Sequence, residues 1–149
     1  MKTVHDVSAE HLVSLDDLLS HLLICDEYFV PHLSSYVDVH EYALKLYDCA
    51  KKVAVYEASR VIALGAFYVT SRNCGFISNI SVDPEFHSCG LGKKILFLVE
   101  QELLAAGKNQ VDLQVFVANS KAMSFYMLNG YVVRNMDGCI ANLCKRIAH

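Results

Sequence analysis

Between a strand-like run ending at Val82 and a helical run beginning at Leu91 lies His87-Ser88-Cys89-Gly90-Leu91-Gly92, followed at once by Lys93 and Lys94. Glycines at such a junction let the backbone approach a ligand closely. A helix start also leaves N–H groups unpaired at the positive end of the helix dipole. With two lysines added, the chemistry suited to the segment is the holding of an anion, most naturally a pyrophosphate. It is not a Walker loop, because G-x-x-x-x-G-K-[ST] fails at Lys94 and in its spacing. Nor is it a dinucleotide fingerprint, which needs a third glycine where Ile95 stands. Read alone, the segment is equally a plain tight turn.

The six cysteines, Cys25, Cys49, Cys74, Cys89, Cys139 and Cys144, form no C-x-x-C pair. They read as reduced and mostly buried thiols, not a disulfide framework. His87 and Cys89 without further ligands fall short of a closed zinc site, so no metal is expected.

The elements that must position this loop follow from periodicity. Leu12, Leu15, Leu19, Leu22 and Leu23 recur at helical spacing over 8–24, with Ser8 as the expected N-cap. Asp26 to Val37 is an aromatic-rich break containing Pro31, and Asp38–Cys49 reads as a second helix. Lys52–Ala58 and Arg60–Ser71 are β-rich runs meeting at Ser59-Arg60, and Cys74–Val82 alternates as a third strand closed by Asp83-Pro84. Leu91–Ala106 is a helix with Ile95, Leu98, Val99 and Leu103 along one face and Gly107 at its end. Val111–Val117 is strand-like, Ser120–Leu128 helical, and Tyr131–Arg134 and Ile140–Arg146 are strands. This order predicts an α/β (α+β) domain built around one sheet.

The chain has 149 residues, of which 54% are hydrophobic and 19% charged, with mean hydropathy +0.29. That length and composition predict one folded domain over 1–149, with no disordered chain, no bilayer-spanning run and no secretory signal. A cytoplasmic location is expected. A net charge of −3 excludes a general nucleic-acid footprint. Residues 1–75 carry ten Asp/Glu against six Lys/Arg, and 76–149 six against seven. The asymmetry reads either as ordinary solvated faces or as an acidic half for a cationic substrate and a more basic half for an anionic cofactor.

A second cluster, Asn119-Ser120-Lys121-Ala122-Met123-Ser124-Phe125-Tyr126-Met127-Leu128-Asn129-Gly130-Tyr131, fits N-x-x-A-x-x-F-Y-x-x-x-G-[FY]. With Ile80-Ser81-Val82-Asp83-Pro84 and the loop His87–Gly92, the chain resembles the GNAT superfamily of acetyl-CoA-dependent N-acetyltransferases over about Ile77 to Arg134. The resemblance implies a mixed central sheet of six to seven strands, helices on both faces and two strands splayed around the cofactor. The acetyl-CoA core would span 77–134, and 1–50 would hold the acceptor-side helices.

Further implications of the resemblance can be placed residue by residue. Pantetheine would pair with backbone at Ile80 and Val82 like an added strand. His87, Ser88, Cys89, Gly90, Leu91, Gly92 and Lys93 would hold the pyrophosphate, mostly through main-chain N–H groups, with His87 standing where Arg or Gln is usual. Asn119 would contact the cofactor arm. Tyr126 would sit beside the thioester sulfur as general acid, and a backbone N–H near Val82 would stabilise the oxyanion. Outside that context Tyr126 reads as a core aromatic. Dimers are common in such folds, although no residue here specifies one.

The general base is less legible. Relatives that place a carboxylate on these strands do so where this chain has Phe76 or Gln114. Glu57, Asp83 and His40 remain as candidates, and ordered water could serve. The acceptor side should include Tyr28, Phe29, His32 and Asn79, near Tyr36, Tyr42 and the acidic Asp26, Glu27, Asp38 and Glu41. The expected activity is acetyl transfer from acetyl-CoA to a primary amine of a small molecule by direct attack in a ternary complex. A polyamine, amino sugar or amino acid derivative suits the acidic bias. The alternatives are a protein or peptide acceptor, or a non-catalytic acyl-CoA-binding module.

Overall fold

The computed structural model describes residues 9–10 and 12–148. Its β-branched and aromatic runs pair into one seven-stranded sheet. The strands are Ala9–Glu10 (β1), Lys51–Glu57 (β2), Arg60–Val69 (β3), Cys74–Val82 (β4), Gln110–Phe116 (β5), Val132–Asp137 (β6) and Ile140–Arg146 (β7). Their spatial order is β1-β2-β3-β4-β5-β7-β6. Every neighbouring pair is antiparallel except β4 and β5, which run parallel and mark the crossover through a helix.

Helices cover both faces, because strands in the middle of the sheet carry apolar residues on each. Leu15–Cys25 (α1) and Val39–Cys49 (α2) pack through Leu18, Leu22, Ala43 and Leu46 onto Ala54, Leu64 and Ala66. Leu91–Ala105 (α3) and Ser120–Leu128 (α4) belong to a core on the other face that includes Val53, Ile62, Phe67, Val111 and Leu113.

The N-terminal helix is shorter than its leucine spacing predicts. Ser14, not Ser8, is the N-cap, its hydroxyl oxygen accepting from the Asp17 N–H at 3.1 Å, with Asp16 and Asp17 in the first turn. Two carboxylates at the positive end of the dipole favour a start there. Ala9–Glu10 instead extends the sheet by pairing with Val55 and Ala54. Leu12, counted in the apolar stripe, precedes the helix and is 91% exposed. Ser8 lies outside the described residues. The other elements keep their expected places with ends moved by up to three residues, and Tyr131–Arg134 becomes Val132–Asp137.

Two glycines set how closely α3 approaches the sheet. A Cβ on Gly65 would stand 2.7 Å from both Ile95 and Val99, and one on Gly75 only 2.2 Å from Leu103. Both sites sit under α3, so the helix lies nearer the strands than any larger residue permits, and this closeness fixes its N-terminus against the end of β4. Gly75→Ala should therefore overpack the interface and destabilise the chain by about 1–3 kcal/mol. Urea denaturation checks this; an unchanged midpoint would contradict the close approach.

Candidate active site

β4 and β5 begin as paired strands and then separate. Their pairing runs from Cys74 with Gln110 to Ile77 with Leu113 and stops there, although β4 continues to Val82 and β5 to Phe116. The change coincides with a bulge. Against β3, Asn79 faces Ala66 and Ile77 faces Phe67, so Ser78 is an extra residue in β4. A bulge bends its strand and locally increases the twist, which turns the rest of β4 away from β5. α2 pins the bulge: the Tyr42 hydroxyl donates to the Ser78 carbonyl at 3.3 Å and lies 3.0 Å from Ser78 Oγ.

Beyond the bulge, β3 pairs with one edge of β4 up to Ala63 with Val82. The other edge opens onto a cleft of about 460 Å³. Ile80, Ser81 and Val82 form one wall, the loop and first turn of α3 the end, and Asn119, Ala122, Phe125 and Tyr126 the opposite wall. Tyr28 and Phe29 approach from the break after α1.

The loop leads into the helix through two left-handed residues. Gly90, at φ +78°, is the N-cap of α3, and Ser88 also has φ +70°. The first N–H groups of α3, from Leu91 onward, have no partner within the helix. A Cβ placed on Gly90 would meet nothing within 4 Å, so a space is held open beside that turn. Lys93 lines it. The His87 imidazole sits within the protein's own network: Nε2 donates to the Val82 carbonyl at 2.9 Å, and Tyr28 meets the ring edge-on at 5.7 Å. Cys89 is not on the cleft wall and packs partly buried against the core.

Asn119 caps α4, its Oδ1 accepting from the Ala122 N–H at 3.1 Å, which leaves its amide nitrogen as the group available to a ligand. Two turns into α4, Tyr126 is 8% exposed and lines the cleft. Its ring is held between Phe125 at 5.2 Å and Tyr131 at 5.5 Å. Burial alone pushes its phenol well above the ordinary value, so it is protonated at neutral pH and able to donate. Tyr131 is itself anchored, donating to Glu100 Oε2 at 2.8 Å, and Lys145 Nζ lies 3.0 Å from Glu100 Oε1.

Behind β4 is a buried polar group that sequence reasoning did not assemble. His21 of α1 is 1% exposed. Its Nε2 lies 2.8 Å from Ser81 Oγ and its Nδ1 3.3 Å from the Val61 carbonyl, and Ser81 donates to Asn79 Oδ1 at 2.8 Å. Desolvation lowers the His21 pKa from 6.5 to about 4, outweighing the Val61 hydrogen bond and the Asp83 charge, which raise it. Cys25 lies 3.6 Å from the ring and lines the cleft, its thiol pushed up to about 12 by burial and by Asp83.

A second, smaller pocket of about 330 Å³ opens where β4 and β5 part, between Phe76, Ile77 and Ser78 on one side and Gln114, Val115 and Phe116 on the other. Leu33, Tyr36 and Tyr42 close it.

Thus Ile80, Val82, His87, Ser88, Gly90, Leu91, Gly92, Lys93, Asn119, Tyr126, Tyr28 and Phe29 meet around one cleft. Asn79 is instead buried in the His21 network, and His32 is exposed away from both pockets. Asp83 is not positioned as a base: it caps the turn Pro84–Phe86 and pairs with Arg60 at 3.3 Å. Glu57 and His40 are exposed and line neither pocket. Asp26 accepts from the Ser34 N–H at 2.7 Å and Asp38 caps α2, so these carboxylates serve the backbone. Lys121 lines the cleft and was missed, although its place two residues after Asn119 in the same motif was a legible signal. Among the described residues, no group of three His, Cys, Asp or Glu side chains is placed to hold a metal.

The same architecture occurs in solved structures. PaiA N-acetyltransferase from Thermoplasma acidophilum, in complex with coenzyme A, aligns at TM-score 0.76 and 18% identity over 95% of this chain and 99% of that one. The ribosomal-protein-S18-alanine N-acetyltransferase from Escherichia coli aligns at TM-score 0.74 and 16% identity, covering 97% and 96%. Aminoglycoside 6'-acetyltransferase type Ii aligns at 0.79 and 13% identity, covering 95% and 98%. At these identities the likeness is one of fold. No curated protein matches the chain. A sequence profile of the acetyltransferase (GNAT) family matches residues 16–131.

The His21 site makes stability pH-dependent with a definite sign. The native ring resists protonation down to about pH 4, whereas the unfolded ring takes a proton near 6.5. Stability is therefore complete above pH 6.5 and lost as pH falls toward 4, by about 2 kcal/mol between pH 7 and pH 5. Urea denaturation at the two pH values should show that loss, and His21→Gln should flatten it. Equal slopes in both proteins would contradict the buried neutral ring.

Proposed function

Because the chain belongs to the acetyltransferase (GNAT) family, we propose that it moves an acetyl group from acetyl-CoA to a primary amine of a small molecule. The observation that carries this reading is the single cleft that joins the open edge of β4, the glycine-bearing start of α3 and the buried Tyr126. A likeness in fold to a protein in complex with coenzyme A supports the cofactor. The shape supports it too. A pyrophosphate needs backbone N–H groups with room beside them, and the space at Gly90 provides that room.

In this reading residues 77–134 hold acetyl-CoA and the N-terminal 50 residues face the acceptor. Ile80 and Val82 offer backbone groups to the pantetheine arm; the Val82 carbonyl first has to be released by His87. Gly90, Leu91, Gly92 and Lys93 bind the pyrophosphate, with Ser88 and Cys89 shaping the loop and Lys121 adding charge. The bound cofactor supplies a thioester carbonyl for attack. The amine nitrogen forms the new C–N bond as the C–S bond breaks. Tyr126 gives its proton to the departing sulfur, and the surplus proton on nitrogen leaves through water and restores the phenol. Among the described residues no Asp or Glu lines the cleft or the adjoining pocket, so water is the proton acceptor. A cytoplasmic setting with reduced thiols accords with six free cysteines.

Tyr126→Phe should lower kcat by about tenfold or more, as loss of a general acid does, with acetyl-CoA affinity unchanged in calorimetry. An unchanged rate would remove Tyr126 as the acid. Gly90→Glu should abolish acetyl-CoA binding by placing bulk and negative charge in the cradle. Gly90→Asn, which tolerates the left-handed backbone, should keep the fold and most of the affinity. Retained binding in Gly90→Glu would overturn the loop assignment.

A further inference from the structure

The pocket at the parting of β4 and β5 has a chemistry at odds with the acidic bias of the N-terminal half. Its walls are mostly apolar or aromatic, with Phe76 and Ile77 from β4, Val115 and Phe116 from β5, and Tyr36 and Tyr42 from the acceptor side; Ser78 and Gln114 are the polar exceptions. Tyr36 meets Phe116 edge-on at 5.3 Å, bridging the break after α1 to the C-terminal end of β5. We propose that this pocket receives the body of the acceptor, and that the chain acts on primary amines carried by an aromatic or aliphatic group. Polyamines and amino sugars are poor acceptors on this view. The proposal rests on the acetyltransferase reading above and names the substrate class for it.

Position supports the assignment. Ser78 borders the pocket and Ile80 the cofactor cleft, a separation of about 7 Å along a strand. The segment after α1 overhangs both, with Tyr28 and Phe29 at the cleft and Leu33 and Tyr36 at the pocket. An amine whose body fills the pocket therefore has its nitrogen directed along β4 toward the thioester. At about 330 Å³ the pocket has room for a single ring and its short chain.

Charge and hydrogen bonding decide against the other classes. No Asp or Glu is on the pocket wall, so the second ammonium of a polyamine would lose its water without gaining a counter-charge. Two of the polar groups present are already engaged. The Tyr42 hydroxyl is on Ser78, and Gln114 Nε2 donates to Asn142 Oδ1 at 3.0 Å. A sugar would leave several hydroxyls unpaired there. An apolar body meets none of these costs, and a ring adds an edge-to-face partner for Tyr36 and Phe116. The same surroundings favour the neutral, nucleophilic form of the amine over its ammonium, in keeping with a site whose walls hold no carboxylate.

The test uses the full chain with acetyl-CoA and three acceptors: phenylethylamine, spermidine and glucosamine. Alongside, phenylethylamine is titrated calorimetrically into the chain saturated with CoA. Expected is a kcat/KM for phenylethylamine at least about tenfold above the other two, and saturable binding. Tyr36 is half exposed, so Tyr36→Ala should fold. It should raise the KM and weaken the binding of phenylethylamine by about tenfold, leave acetyl-CoA binding intact, and be rescued by Tyr36→Phe. Preference for spermidine or glucosamine, or indifference to Tyr36→Ala, would overturn the proposal while leaving the acetyltransferase reading in place. If no amine is acetylated, the titration separates the two claims. Binding lost in Tyr36→Ala supports the pocket and counts against the enzyme, whereas no binding overturns the pocket.

Discussion

The separation of β4 from β5 is the constraint on which the rest of this structure depends. Two parallel strands in register would satisfy one another's backbone groups and leave nothing to offer a ligand. Here one extra residue, Ser78, bends β4 immediately after its last pairing at Ile77. Everything placed around the gap answers to that bend. α2 clamps it through Tyr42, β3 continues to pair with the inner edge of β4, and the residues beyond lie with one edge open. A pocket forms on one side of the parting and a longer cleft follows beyond it.

An open strand edge becomes a site only if its surroundings are held fixed. On one side α3 is drawn down onto Gly65 and Gly75, which brings its N-terminus to the end of β4. On the other, Tyr126 is set by packing between aromatic rings, and its neighbour Tyr131 is tied to the Glu100–Lys145 pair. That pair is partly buried, so it is less screened by water than an ordinary surface ion pair. α3, β7 and the turn that follows α4 are thereby joined in one polar network. The phenol is raised by the same burial that immobilises it. Positioning and protonation state thus share one cause.

Much of this was legible in the chain. The loop His87–Gly92, the helix behind it and the Asn119–Tyr131 motif are local patterns, and the structure places each in its expected element beside one cleft. The failures were cases in which a particular hydrogen bond or a distant partner, not the residue pattern, decided the outcome. Leu12 has the right spacing for a helix, but Ala9–Glu10 finds β2 and Ser14 makes the cap. Asp26 and Asp38 look like charges for a cationic substrate, yet their oxygens hold backbone N–H groups. The bulge at Ser78 has no sequence mark, since a strand with one residue too many alternates as well as one without. His21 reads as one residue of a leucine-rich helix, and only the sheet brings it to Ser81 and Asn79. The pocket walls come from four separate parts of the chain and carry no motif.

The most direct test of the central claim is calorimetric titration of the purified chain with acetyl-CoA, with dephospho-CoA and ADP for comparison. If the parted strands receive the pantetheine arm and the α3 loop the pyrophosphate, acetyl-CoA and dephospho-CoA should both bind. ADP, lacking the arm, should bind far more weakly. Equal affinity for ADP and acetyl-CoA would show that the gap between β4 and β5 contributes nothing. No binding of acetyl-CoA by the folded chain would contradict the account outright.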